Sequence, residues 1–113
     1  MPRYQLLALT NSLPGEEAEF ERWYDEQHLP DVLRVPGIVS AQRYRAAAGL
    51  QGNSPWKFLT LYELDTETPG AVLEELGRRA GTTLMPLTAA MDASTSGAMV
   101  LECAGDVRRR TLP

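Results

Sequence analysis

A chain of 113 residues holds one hydrophobic core and not two. Its apolar share of 43% and charged share of 23% argue against disorder, and a net charge of −4 argues against nucleic acid as the main partner. The single cysteine, Cys103, precludes an intrachain disulfide, and no apolar run approaches the roughly 18 residues of a membrane span, so a cytoplasmic protein off the membrane is expected.

Tyr4 to Thr10 reads as a first strand, short and apolar, closed by the turn formers Asn11, Ser12, Pro14 and Gly15. A helix follows, with Glu16 and Glu17 at its positive end. Phe20, Trp23, Tyr24 and Gln27 share one face of it, while Glu21, Arg22, Asp25 and Glu26 take the other. Pro30 lacks an amide hydrogen and its ring clashes with the carbonyl of residue 26, so the helix is expected to stop or kink near His28 and Leu29. Pro30 then opens a short helical turn through Asp31, Val32 and Leu33, closed by Pro36-Gly37.

Ile38 to Ala46 reads as the second strand, with Ile38, Ser40, Gln42 and Tyr44 on one face and Val39, Ala41, Arg43 and Arg45 on the other. A Gly- and Asn-rich loop, 47–55, leads to a third strand over Trp56 to Leu64. Thr68-Pro69 starts a second helix that buries Ala71, Val72 and Leu76 and stops at Gly81. Thr82 to Asp92 is expected to be a loop with one helical turn, Gly97 to Cys103 a fourth strand with Cys103 in the core.

This order, β-α-β-β-α-β, is that of an α+β, ferredoxin-like protomer: a four-stranded antiparallel sheet with two helices on one face. Residues 1–105 are expected to form that single domain, and 106–113 a basic tail around Arg108, Arg109 and Arg110. Two helices cover one sheet face, yet the strands are apolar on both. The cheapest cover for the second face is another copy, so a homodimer is expected.

The run Pro14-Gly15, Phe20, Trp23-Tyr24-Asp25-Glu26, His28-Leu29-Pro30-Asp31, Leu33, Val35-Pro36-Gly37 and Gln42-Arg43-Tyr44 resembles small proteins of the dimeric α/β barrel superfamily, and its EthD-like members in particular. The likeness is close over the first half of the chain and limited to element order in the second. It implies sheets that face each other in a dimer, with a pocket in each subunit. That superfamily spans cofactor-free cyclases, isomerases, dehydratases and decarboxylases, quinone-forming monooxygenases and haem-binding branches, so fold alone does not name the reaction.

His28, the only histidine, is the side chain best suited to proton transfer near neutrality. Its competing role is a cap on the carbonyls of the broken helix. Asp25 and Asp31 each lie three residues from it and are candidates to orient the ring; Asp31 equally suits a helix start. Phe20, Trp23 and Tyr24 form either a pocket wall or the core face of the helix, and the Tyr24 hydroxyl has the stronger claim to a pocket. Arg43, if it faces the helices, requires a carboxylate or an anionic ligand. Tyr4, Asn11, Tyr44, Tyr62 and Thr60 are further candidates for polar or aromatic groups around a bound molecule.

No dinucleotide glycine motif, phosphate loop, serine elbow or Cys/His metal cluster is present, so no cofactor and no metal is expected. The leading reading is a small enzyme that moves a proton on an apolar aromatic or polyketide-like carbonyl compound, in cyclisation, dehydration, isomerisation or decarboxylation. A non-catalytic dimer that binds a hydrophobic ligand, and an oxygen-using or haem-binding protein, are the alternatives.

Overall fold

The computed structural model describes residues 3–50 and 52–111; Gln51 of the expected loop and residues 112–113 of the expected tail lie outside them. Strand β1 (Tyr4–Thr10) is followed by helix α1 (Glu17–Trp23), a π-helical turn (Tyr24–His28) and helix α2 (Leu29–Leu33). Strands β2 (Ile38–Arg45) and β3 (Phe58–Leu64), helix α3 (Pro69–Arg79) and strand β4 (Gly97–Glu102) complete the order. The strands form one sheet in the order β2-β3-β1-β4, every neighbouring pair antiparallel. This is the ferredoxin-like arrangement read from the sequence.

The first helix does not stop at Pro30. Backbone angles stay helical through Tyr24, His28 and Leu29, and the Leu29 amide donates to the carbonyl of Tyr24, five residues back. One residue too many is accommodated in that turn, which widens the helix and makes room for the proline ring where an α-turn would clash.

Strand β2 departs from simple alternation. A bulge between Ile38 and Ser40 takes up Val39, so Ile38 lies opposite Leu64 and Ala41 opposite Tyr62, both on the helix side. Ile38 thus joins Ala41, Arg43 and Arg45 on the covered face, not Gln42 and Tyr44 as strict alternation expects. The bulge turns Arg43 under the helix and Tyr44 away from it.

The core between helices and sheet has two lobes. Leu6, Tyr62, Leu64, Val32, Val35, Ile38, Val72 and Met85 pack in one. Phe20, Trp23, Tyr24, Phe58 and Ala90 form an aromatic lobe, where Phe20 meets Phe58 with ring centroids 5.0 Å apart. In α3, Val72 is buried and Leu76 half-buried, but Ala71 is exposed. Cys103 also is exposed, because β4 ends one residue before it. The segment 82–92 contains turns and no helix; it is tied down where the Leu13 amide donates to the Ala90 carbonyl and the Asp92 amide to that of Asn11.

Gly37, between α2 and β2, adopts φ of 96°, and a Cβ there would lie 2.9 Å from Cγ2 of Val72 in the core. Gly37→Ala combines a left-handed backbone with that clash and is expected to cost about 1–2 kcal/mol or more. Urea unfolding checks this, with a lower midpoint and an unchanged slope expected.

Candidate functional site

The π turn decides which aromatic side chains meet. Residues five apart point about 140° away from each other around an α-helix, but nearly align across a π turn. Trp23 and His28 are five apart, and here their rings stack, with centroids 4.4 Å apart and planes 20° from parallel. Tyr24, four residues before His28, meets the imidazole edge-on at 5.1 Å. The Trp23 indole N–H donates to the Pro86 carbonyl at 3.1 Å and is fixed by it.

Beside this cluster lies an open, mostly apolar cavity of about 270 Å³. Leu6, Ala8, Tyr62 and Ala98 of the sheet floor it; Tyr24, His28 and Val32 form one wall; Leu76, Gly77 and Ala80 form the other, with Met85 at the end. A larger groove of about 520 Å³ runs from Gly37 to Glu75 and Arg79, but it holds no histidine and its two ionised side chains on α3 pair with each other. The His28 cavity combines apolar walls with a few polar groups, as small-molecule sites do.

The His28 ring is largely buried, and its Nδ1 has no hydrogen-bond partner; among the described residues it is the buried side-chain polar atom left in that state. Burial pushes its pKa down from 6.5 to about 4, opposed by the negative charge of Asp31. The ring is therefore neutral at physiological pH. It does not cap the helix: none of the side-chain hydrogen bonds found among the described residues joins it to a carbonyl. Tyr62, also buried, has its phenol pKa pushed far up, by burial first and then by the adjacent Tyr24 hydroxyl. Tyr62 thus stays protonated, as a hydrogen-bond donor.

The other expected site residues are placed as follows. Asp31 is buried and accepts from Gln27 Nε2 at 2.6 Å and Arg34 Nη1 at 2.8 Å, so it reaches His28 through charge and not through a hydrogen bond. Asp25 is exposed and accepts from Arg43 Nη1 at 2.9 Å. Arg43 also donates to Glu21 at 3.2 Å, and its guanidinium lies 5.1 Å from the Tyr24 ring centroid. It braces helix to sheet at the edge of the aromatic lobe, outside the His28 cavity. Phe20 is wholly buried and Trp23 nearly so; neither lines the cavity, although Trp23 backs its histidine.

Asn11 is a loop tie: its Nδ2 donates to the Pro55 carbonyl and Thr95 Oγ1, and its Oδ1 accepts from the Lys57 amide. Tyr4 packs against the main core lobe, and Tyr44 is exposed on the opposite sheet face. The sequence therefore brought Tyr24, His28 and Tyr62 to one cavity. It did not reveal the short residues Gly77, Ala80 and Ala98 or Met85, whose only signal is a run of small side chains on α3 followed by a methionine. Among the described residues, no group of three or more His, Cys, Asp or Glu is placed to hold a metal ion, and no helix is long and apolar enough to cross a membrane.

No protein-family model and no curated protein matches the sequence. Solved structures do. An EthD family protein from Bacillus halodurans aligns over 94% of this chain and 99% of its own, at 16% identity and a TM-score of 0.54. A candidate monooxygenase from Shewanella loihica aligns over 97% and 99%, at 13% identity and a TM-score of 0.57. A Nitrosomonas europaea protein of unknown function aligns over 98% of each chain, at 14% identity and a TM-score of 0.57. The likeness is one of fold: the resemblance read from the residues between Pro14 and Tyr44 is met by an EthD-family structure of the same ferredoxin-like architecture.

The histidine has a thermodynamic signature. Above pH 6.5 its ring is neutral whether the chain is folded or not, and stability is flat with respect to it. Between 6.5 and about 4 the unfolded chain takes a proton that the folded one refuses, so stability falls as pH falls. The expected loss is on the order of 3 kcal/mol across that window. Denaturant titrations at stepped pH check it, with a His28→Gln variant expected to show a shallower slope, the remainder coming from ion-paired carboxylates such as Glu21 and Glu75.

Proposed function

We propose that the protein is a small enzyme that moves a proton on an apolar, aromatic or polyketide-like carbonyl compound held in the His28 cavity. The observation that carries this reading is a neutral imidazole with an unpartnered buried nitrogen on the wall of an apolar cavity that two tyrosines also line. Structural histidines in such surroundings normally have both nitrogens satisfied.

A ketone bound with its oxygen toward the Tyr24 and Tyr62 hydroxyls would present its α-carbon to His28. The imidazole takes the α-proton, the electron pair moves onto oxygen, and the phenols donate to the developing enolate. Return of that proton to another atom gives isomerisation; attack of the carbanion on a second carbonyl gives cyclisation. Arg43 does not reach the ligand in this reading, since Glu21 and Asp25 hold it outside the cavity. The enolate would also counter the low basicity of His28, because an anion beside the ring favours its charged form.

Deuterium exchange into the methyl group of 2-acetylnaphthalene, followed by proton NMR in D2O, tests the reading. The wild type is expected to exceed buffer, and His28→Gln to lose roughly 100-fold or more of that excess. Equal rates in the two proteins, with the ketone still bound, would leave a ligand carrier without chemistry. The depressed basicity of His28 favours that second reading.

We further propose that two copies pair through the open sheet face. Leu7 lies opposite Leu61 and Met99, and Tyr44 opposite Leu59, all on the side away from the helices. Tyr44 and Met99 are each 48% exposed there, a contiguous apolar surface that a second copy would cover. Light scattering at micromolar concentration is expected to give twice the chain mass, and Leu61→Lys to reduce it to one.

A further inference from the structure

Resting on the reading of the His28 cavity as a small-molecule site, we infer that it takes only uncharged ligands carrying an acceptor oxygen and excludes carboxylates. The argument is one of missing countercharge. Among the described residues, no charged side chain lines the cavity. The arginines of the surrounding elements are already committed: Arg43 to Glu21 and Asp25, Arg34 to Asp31 at 2.8 Å, and Arg79 to Glu75 at 2.7 Å. Freeing Arg43 or Arg34 would strand Asp25 or Asp31, and Asp31 is buried, so its desertion is the costlier. Glu75 is shared by Arg78 and Arg79, but Arg79 lines the separate groove beside Gly37 and not this cavity.

At the imidazole the local field has the same sign, although Arg43 is felt at the Tyr62 hydroxyl as a small positive contribution. Asp31 is felt at the His28 ring as negative charge, and a ligand anion placed against that ring would meet it too. What the cavity offers a ligand is neutral: two phenolic hydroxyls and an uncharged imidazole, set among Leu6, Val32 and Met85. Such groups hydrogen-bond a ketone, quinone or lactone oxygen well. They replace the hydration shell of an ionised carboxylate poorly, and a buried anion without a cation is strongly disfavoured.

An isosteric pair separates charge from shape: 2-acetylnaphthalene and 2-naphthoate differ by a methyl group against a carboxylate oxygen. Each is titrated at pH 7.5 into protein carrying carbon-13 methyl methionine, and the Met85 methyl and His28 ring resonances are followed. The expected result is saturable shifts with the ketone, and at least about 100-fold weaker binding of the naphthoate. Comparable binding of both at those resonances would overturn the exclusion while leaving the cavity as a ligand site. No shift with either would overturn the inference together with the site reading on which it rests.

Discussion

A proline in mid-helix is the constraint on which the rest depends. Pro30 withholds one amide and crowds the turn before it, and the chain answers with a five-residue π turn in place of a break. That turn rotates His28 into line with Trp23 and Tyr24. Without it, the imidazole would lie well around the helix from the indole that backs it. The Trp23–His28 stack, the unpartnered Nδ1 and the neutral ring all follow from how one backbone clash is relieved. A π turn is intrinsically weaker than an α turn, and it persists here because both ends are held: Phe20 and Trp23 in the aromatic lobe, Val32 and Val35 in the main one.

Much of the architecture was legible in the sequence because it rests on local signals. Strand runs, the acidic first turn, Thr68-Pro69 and Gly81 mark element ends by chemistry that acts within a few residues. The failures share a different cause. The bulge at Val39 shifts which residues face the helices, and no side chain there announces it; register is settled by pairing with β3, a neighbour far along the chain. Cys103 and Ala71 were misplaced for the same reason, since exposure at the end of an edge strand or along a lightly packed helix is decided by what is absent opposite.

The site was legible only in part. Tyr24, His28 and Tyr62 carried chemistry that drew attention to them, and the cavity joins them. Asp25 and Arg43 also carried chemistry, but they found each other, at an edge where such pairs contribute little individually. Asn11 has the side chain of a ligand-binding residue and the bonds of a loop clamp. Spacing alone could not sort these cases, because a polar group's role depends on whether protein or ligand satisfies it.

Gly77 faces the cavity from α3, and a Cβ added there would meet nothing within 4 Å. Ala80 and Ala98 line the same space with single methyl groups. The room for a ligand is therefore made by side chains that are short, not by a backbone that parts. Polar groups and short side chains sit on separate elements: the former on the π turn and β3, the latter on α3, the residue just after it and β4. Descendants of this chain can change the size of that space one methyl at a time, while Tyr24, His28 and Tyr62 stay where they are. The cavity's volume and its polar groups are free to evolve apart.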